Sequence, residues 1–323
     1  MHLENKIMVI GGGGYVGSAL VPSLMEKGYN VSVFDTFWYG DNLPGSATKI
    51  LGDIRDRKLL INSCKGMDKI IHLACISNDP SFDLNPALGK SINLDAFPNI
   101  VDSVKENGIK RFIFASSSSI YGIKEEERVT EEASAEPMTD YAKYKWECEE
   151  ILKKEKDFEW TIIRPATVCG YAPRLRLDLV VNILTANALE KGKIKILGGK
   201  QFRPNINVKD MVRAYEFLLE APSESINGEA FNAGDRNYTV EELAGIVNKV
   251  VPGAELEFVP TNDNRSYRID SEKIKKELNF EPIFGIEEAV RGIVDAYKQG
   301  KIINALGNPM YHNIKRMKEL DIK

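Results

Sequence analysis

The chain has 323 residues, 43% hydrophobic and 28% charged, the balance of a globular protein with a large core. A net charge of −4 offers no footprint for nucleic acid or an anionic membrane surface. Four cysteines without CxxC spacing and three histidines leave little material for a disulfide framework, a metal site or a Ser-His-Asp triad. No apolar run reaches the roughly 18 residues of a membrane span. The first strand begins too early for a signal peptide, so a cytoplasmic protein without nucleic-acid or membrane partners is expected.

Residues 7–10 form a continuous apolar run and predict a buried strand. Gly11, Gly14 and Gly17 follow at once, and Val16, Ala19, Leu20 and Leu24 then recur with helical spacing. Strand, glycine turn and helix start suit a pyrophosphate, because absent side chains admit it and the helix start offers unpaired N–H donors. Tyr15 and Val16 stand at that helix start. The second apolar run, 31–34, ends in Asp35, where a ribose-binding carboxylate belongs in a βαβ unit. A carboxylate there accepts bonds from the adenosine ribose and repels a 2′-phosphate, which points to NAD rather than NADP. The aromatic loop 36–42 could flank the adenine or cover the strand ends. Residues 50–56 read as a short strand entering a helix, with Asp53 either its N-cap or an acceptor for the adenine amino group. Residues 69–75 predict the next buried strand, with His72 a satisfied core histidine rather than a catalyst.

Helical segments over 85–107 and a strand over 111–115 continue the alternation and predict an α/β, Rossmann-type doubly wound parallel sheet. Ligands bind such sheets outside the carboxyl ends of the strands, which singles out residues 74–77, 116–119 and 166–169. The acidic loop 122–137 reads as a solvated excursion. Tyr141 and Lys145 are four apart and share one helix face, where an ammonium would lower the phenol toward a useful base. An ordinary amphipathic helix over 141–156 has the same pattern. Residues 160–165 predict a central strand, and 171–178 are basic through Arg174 and Arg176. Helices follow near 178–191, 209–220, 240–250, 271–278 and 286–299, with strands near 194–197, 230–233 and 255–260. The amphipathic tail, 301–323, reads as either a packing or an oligomer element.

With these residues in place, nearly the whole chain resembles the extended short-chain dehydrogenase/reductase family, in its nucleotide-sugar epimerase, dehydratase and reductase branch. Gly11, Gly14 and Gly17 match its GxxGxxG turn, Asp35 its ribose carboxylate, and Asp53-Ile54 its adenine-binding pair. His72-Leu73-Ala74 resembles its HLA strand, and Asn93 its asparagine after the next helical segment. Ser117 matches the catalytic Ser/Thr and Tyr141/Lys145 the YxxxK pair, while Arg203 and Arg265 resemble two nucleotide-binding arginines. The resemblance implies an NAD-binding domain over 1–167, with returning segments near 205–235, and a smaller α/β lobe, mainly 168–323, for a nucleoside-diphosphate sugar. It implies further NAD contacts at Leu73, Ala74, Ser77 and Pro165. Substrate contacts are implied at Ser117, Ser118, Ser119, Thr167, Arg174, Arg176 and Asn182, beside the two arginines. A homodimer and no metal are implied as well.

The departures narrow the chemistry. Ser118-Ser119 stand where the family's 4,6-dehydratases carry Asp-Glu, and Ser119 stands where its 3,5-epimerases carry cysteine. The resemblance then implies hydride transfer at carbon 4 of a nucleotide-hexose or nucleotide-heptose. In that reading Tyr141 is the base, Lys145 lowers its pKa and holds the nicotinamide ribose, and Ser117 bonds the reacting oxygen. A 4-epimerase is the leading expectation. Residues 164–178 resemble a subset of bacterial surface-polysaccharide enzymes, which leaves a GDP-heptose-type 4-dehydrogenase or a 4-keto-sugar reductase as the alternative. A catalytically silent NAD-binding regulator is a second alternative, opposed by the intact Ser117, Tyr141 and Lys145.

Overall fold

The strands in chain order are β1 (Lys6–Ile10), β2 (Asn30–Asp35), β3 (Thr48–Leu51), β4 (Lys69–His72), β5 (Arg111–Ala115), β6 (Glu159–Pro165), β7 (Thr167–Cys169), β8 (Lys193–Leu197), β9 (Phe202–Asn207), β10 (Glu229–Ala233), β11 (Arg236–Thr239) and β12 (Glu255–Val259). The helices are α1 (Tyr15–Glu26), α2 (Arg57–Ser63), α3 (Asp79–Leu84), α4 (Pro86–Lys90), α5 (Phe97–Glu106), α6 (Asp140–Leu152), α7 (Val180–Lys191), α8 (Val208–Glu220), α9 (Ser223–Ile226), α10 (Val240–Val250), α11 (Glu272–Leu278), α12 (Ile286–Lys298) and α13 (Asn313–Leu320). The chain is described from a computed structural model that covers residues 6–77, 79–261 and 266–322. Among these residues no helix is long and apolar enough to cross a membrane.

Seven parallel strands form the main sheet in the order β10-β6-β5-β4-β1-β2-β3. The apolar run of β1 is explained by burial on both faces. Ile7 and Val9 pack with Leu20 and Leu24 of α1 and with Met211 and Leu218 of α8. Met8 and Ile10 face the other way, toward Ile70 and the α5 residues Ile100 and Val104. Chain order reverses at β1, between β2 and β4, and this switch point opens a crevice at the carboxyl ends of the strands. The segment after β6 builds a second layer, a three-stranded sheet β11-β9-β7 and a two-stranded sheet β12-β8, packed against α7, α10 and α12.

Several expectations need correction. β4 stops at His72, because the N–H groups of Leu73 and Ala74 both turn to the Ile10 carbonyl (2.8 and 3.0 Å). The two short strands β7 and β11 carry no sequence period of their own and take shape only by pairing with β9. His72 is a core residue stacked among Phe97, Phe112 and Phe114, but its buried Nδ1 has no hydrogen-bond partner, so it is not a satisfied histidine. The 122–137 loop is anchored rather than merely solvated. Val129 is buried and pairs with Ile269, and Glu131 accepts the Asn232 N–H at 2.7 Å. The tail packs back on the body: Met317 joins the core beneath the sheet, and Arg316 donates to the Trp38 carbonyl at 2.6 Å.

Candidate active site

A cavity of about 680 Å³ lies along the crevice at the switch point. Its floor is the glycine turn. Gly11 has φ of +85°, and a Cβ there would sit 2.4 Å from the Ala74 nitrogen; a Cβ on Gly17 would sit 2.5 Å from the Gly12 Cα. Only glycine lets strand and helix approach so closely. Gly14 caps α1 without a side-chain bond, so the first N–H groups of the helix face the cavity beside Gly11, Tyr15, Val16 and Gly17. The Asp35 carboxylate is fixed at the end of β2 by the N–H groups of Gly13 (2.9 Å) and Phe37 (2.7 Å). Burial pushes its pKa up, and these bonds oppose the shift.

Asp53 and Ile54 line the crevice together with Phe34, Asp35 and Gly52. Asp53 is not the cap of α2; that role falls to Asp56, which accepts the Leu59 N–H at 3.0 Å. Asp53 instead pairs with Arg55 at 2.6 Å. Leu73, Ala74 and Ser77 form the wall after β4. Asn93 does not reach the cavity. Its side-chain amide holds both backbone groups of Ile76 (2.8 and 2.9 Å), so it shapes the wall from behind.

Ser117, Ser118, Ser119, Tyr141 and Lys145 converge at the other end. Ser117 opens the short turn after β5 and lies 2.8 Å from the Ser119 hydroxyl. The neighbouring Ser116 turns away into a buried bond with Glu149. Thr139 caps α6 and sets Tyr141 and Lys145 on its cavity-facing side. Lys145 Nζ donates to the Ala115 carbonyl at 2.6 Å and lies 4.9 Å above the Phe114 ring. The phenol of Tyr141 is pushed up, not down: burial dominates, Cys75 adds to it, and the hydrogen bond with Ser117 works the other way. The lowering expected from Lys145 is therefore not what the protein alone provides, because desolvation outweighs a charge already held by a carbonyl.

Pro165, Thr167, Arg174, Arg176 and Arg203 complete the lining. Asn182 is fully buried and does not line it; its amide accepts the Gly170 N–H and donates to the Arg176 carbonyl, fixing the loop between β7 and α7. Arg265 lies outside the described residues. Sequence reasoning missed Asp178, Asn313 and Ile314, which also line the cavity. The amphipathic tail was the only available signal for the last two, and it does not say where the tail docks. Cys75 and Asp79 stand close enough to Tyr141 to raise its phenol. Among the described residues no three His, Cys, Asp or Glu side chains form a group that could hold a metal.

The profile of the NAD dependent epimerase/dehydratase family matches residues 7–234. UDP-glucuronic acid decarboxylase 1 of Arabidopsis thaliana is 29% identical over 314 residues, covering 93% of this chain and 71% of that protein. UDP-glucose 4-epimerase of Lactobacillus helveticus is 26% identical over 306 residues, covering 86% and 92%. The crystal structure of UDP-glucose 4-epimerase with UDP-glucose from Thermotoga maritima superposes with a TM-score of 0.84 at 27% identity, covering 91% of this chain and 99% of that one.

Proposed function

The chain belongs to the NAD-dependent epimerase/dehydratase family and is an NAD-dependent enzyme of nucleotide-sugar epimerase/dehydrogenase type, and from that premise we propose that it is a 4-epimerase of a nucleotide-hexose or nucleotide-heptose. The observation that carries this reading is the meeting of Ser117, Tyr141 and Lys145 at one end of the cavity, with the hydroxyls of Ser118 and Ser119 following Ser117 where an acid–base pair would serve elimination. The cofactor fits the cavity: a bare helix start, a glycine floor and the Asp35 carboxylate match a diphosphate and a ribose without a 2′-phosphate. Bound NAD supplies the two-electron acceptor for the hydrogen leaving carbon 4.

In this reading the Tyr141 oxygen takes the proton of the sugar hydroxyl and later returns it, and Ser117 holds that same oxygen by hydrogen bonding. Lys145 holds the nicotinamide ribose and favours the deprotonated phenol. Arg203 neutralises the substrate diphosphate from β9. A homodimer in the cytoplasm completes the proposal; the four cysteines, all free, suit a reducing compartment.

The test is turnover in heavy water with the product examined by NMR. Inversion at carbon 4, no net NADH and no solvent deuterium at carbons 3, 5 or 6 are expected. Stoichiometric NADH favours the 4-dehydrogenase alternative. Solvent deuterium on any of these carbons overturns the reading, since a carbon–hydrogen bond then forms with solvent, as in elimination or decarboxylation. Cys75 and Asp79 would be the first groups to replace.

A further inference from the structure

We propose that Arg174 and Arg176, on the loop between β7 and α7, close over the diphosphate of the bound dinucleotide rather than over the nucleotide-sugar. The inference rests on the NAD reading above and assigns these two side chains a role within it. The loop is tied to the first turn of α1 at two points: the Tyr15 hydroxyl donates to the Gly170 carbonyl at 2.7 Å, and the Arg174 N–H donates to the Ser18 hydroxyl at 3.1 Å. These ties hold the loop against the start of α1, both arginines line the same cavity as Gly11, Gly14 and Gly17, and Arg174 lies within electrostatic reach of Asp35.

Arg174 is only 3% exposed, and its Nε is buried without a hydrogen-bond partner. No carboxylate among the described residues forms an ion pair with it. The central carbon of its guanidinium lies over Tyr39, 3.8 Å from the ring centroid, and one nitrogen donates to the Asn313 amide oxygen. Burial holds it below the usual arginine range, at about 10. A buried cation left so short of partners is costly unless an anion completes it. Arg176 is 9% exposed and held by the Ser77 carbonyl at 2.9 Å and by Asp178 at 3.4 Å. A diphosphate on the helix start of α1 would meet the N–H donors of that helix and the two guanidinium groups that line the same cavity. Asn313 is also linked to Ser77 and Asp178, so α13 latches the arrangement from outside.

The experiment compares Arg174→Met, Arg176→Gln, Asn313→Ala and Arg203→Ala with the wild type. NAD affinity is measured by calorimetry after the protein is stripped of nucleotide. UDP and GDP affinity is measured on the NAD-saturated protein. The first two variants should lose NAD affinity at least about tenfold and keep nucleoside-diphosphate affinity within about twofold. Asn313→Ala, which keeps both guanidiniums, should show a smaller loss of the same kind; Arg203→Ala should do the reverse. If Arg174→Met fails to fold, Arg176→Gln and Asn313→Ala carry the comparison, and unchanged NAD affinity in both overturns the proposal. Weakened UDP or GDP binding with intact NAD binding places the pair on the substrate and also overturns it. Failure of the wild type to bind NAD would instead overturn the cofactor reading itself.

Discussion

At the scale of single residues the decisive contest is between burial and charge. Tyr141 is raised by its surroundings in the protein alone, so at neutral pH it carries its proton, and a base role requires further positive charge at the nicotinamide end. Tyr141→Phe removes the one hydroxyl assigned to proton transfer and leaves the ring packed against Phe82. Turnover should fall about a hundredfold or more with little change in substrate affinity, measured by steady-state kinetics and calorimetry. Asp35 should give NAD an advantage over NADP of at least about tenfold in dissociation constant, because a 2′-phosphate would meet a fixed, half-buried carboxylate. Asp35→Ser should narrow that ratio.

His72 makes a stability prediction with a definite sign. Burial first, and Lys145 second, hold its pKa well below the ordinary value, so the folded protein keeps it neutral. The unfolded chain takes up a proton near pH 6.5. The unfolded state thus binds more protons below that pH, and stability falls as pH drops from about 6.5 toward the folded pKa. Urea denaturation at pH 8, 7, 6 and 5 should show this loss, and His72→Leu should flatten it.

At the scale of elements, α6 does more than present two side chains. One turn beyond Lys145, the fully buried Glu149 bonds Arg164 of β6 at 2.7 and 3.1 Å and accepts the Ser116 hydroxyl. Arg164 in turn donates to the Tyr121 hydroxyl at 2.8 Å, which donates to Asn232 of β10. This network fixes α6 against the ends of β5 and β6 and so sets the distance from Tyr141 to Ser117. Glu149→Ala leaves Arg164 buried and uncompensated, and should cost about 3–5 kcal/mol by urea denaturation. A loss below about 1 kcal/mol would mean the network is incidental. The same logic explains why consecutive serines part ways: their backbone positions on one tight turn aim the Ser116 hydroxyl at Glu149 and the Ser117 hydroxyl at Tyr141.

At the scale of the whole molecule the chain interleaves. β10 pairs with β6 at the edge of the main sheet, and α8 supplies Met211, Tyr215 and Leu218 to the core above β1. A fragment of residues 1–167 would expose the edge of β6 and lack that side of its core. Expressed alone, it should lack a cooperative urea transition and should bind a hydrophobic dye; cooperative unfolding would show that the returning segments are dispensable.

The sequence alone determined the strand–glycine–helix start, the carboxylate at the end of β2, the parallel alternation and the Tyr141/Lys145 pair. Each of these is an arrangement within one element or across one turn, and spacing encodes such neighbours directly. The sequence could not decide which polar residues face the cavity. Asn93 and Asn182 carry the right side chains but are occupied by backbone groups, and Asn313 reaches Arg174 across 139 residues of chain. Nor could it give the direction of the Tyr141 shift, or the tie between the Arg174 backbone and Ser18 of α1. Burial and long-range pairing exist only once the two layers have packed, and there desolvation overrules the charges that local spacing brings together.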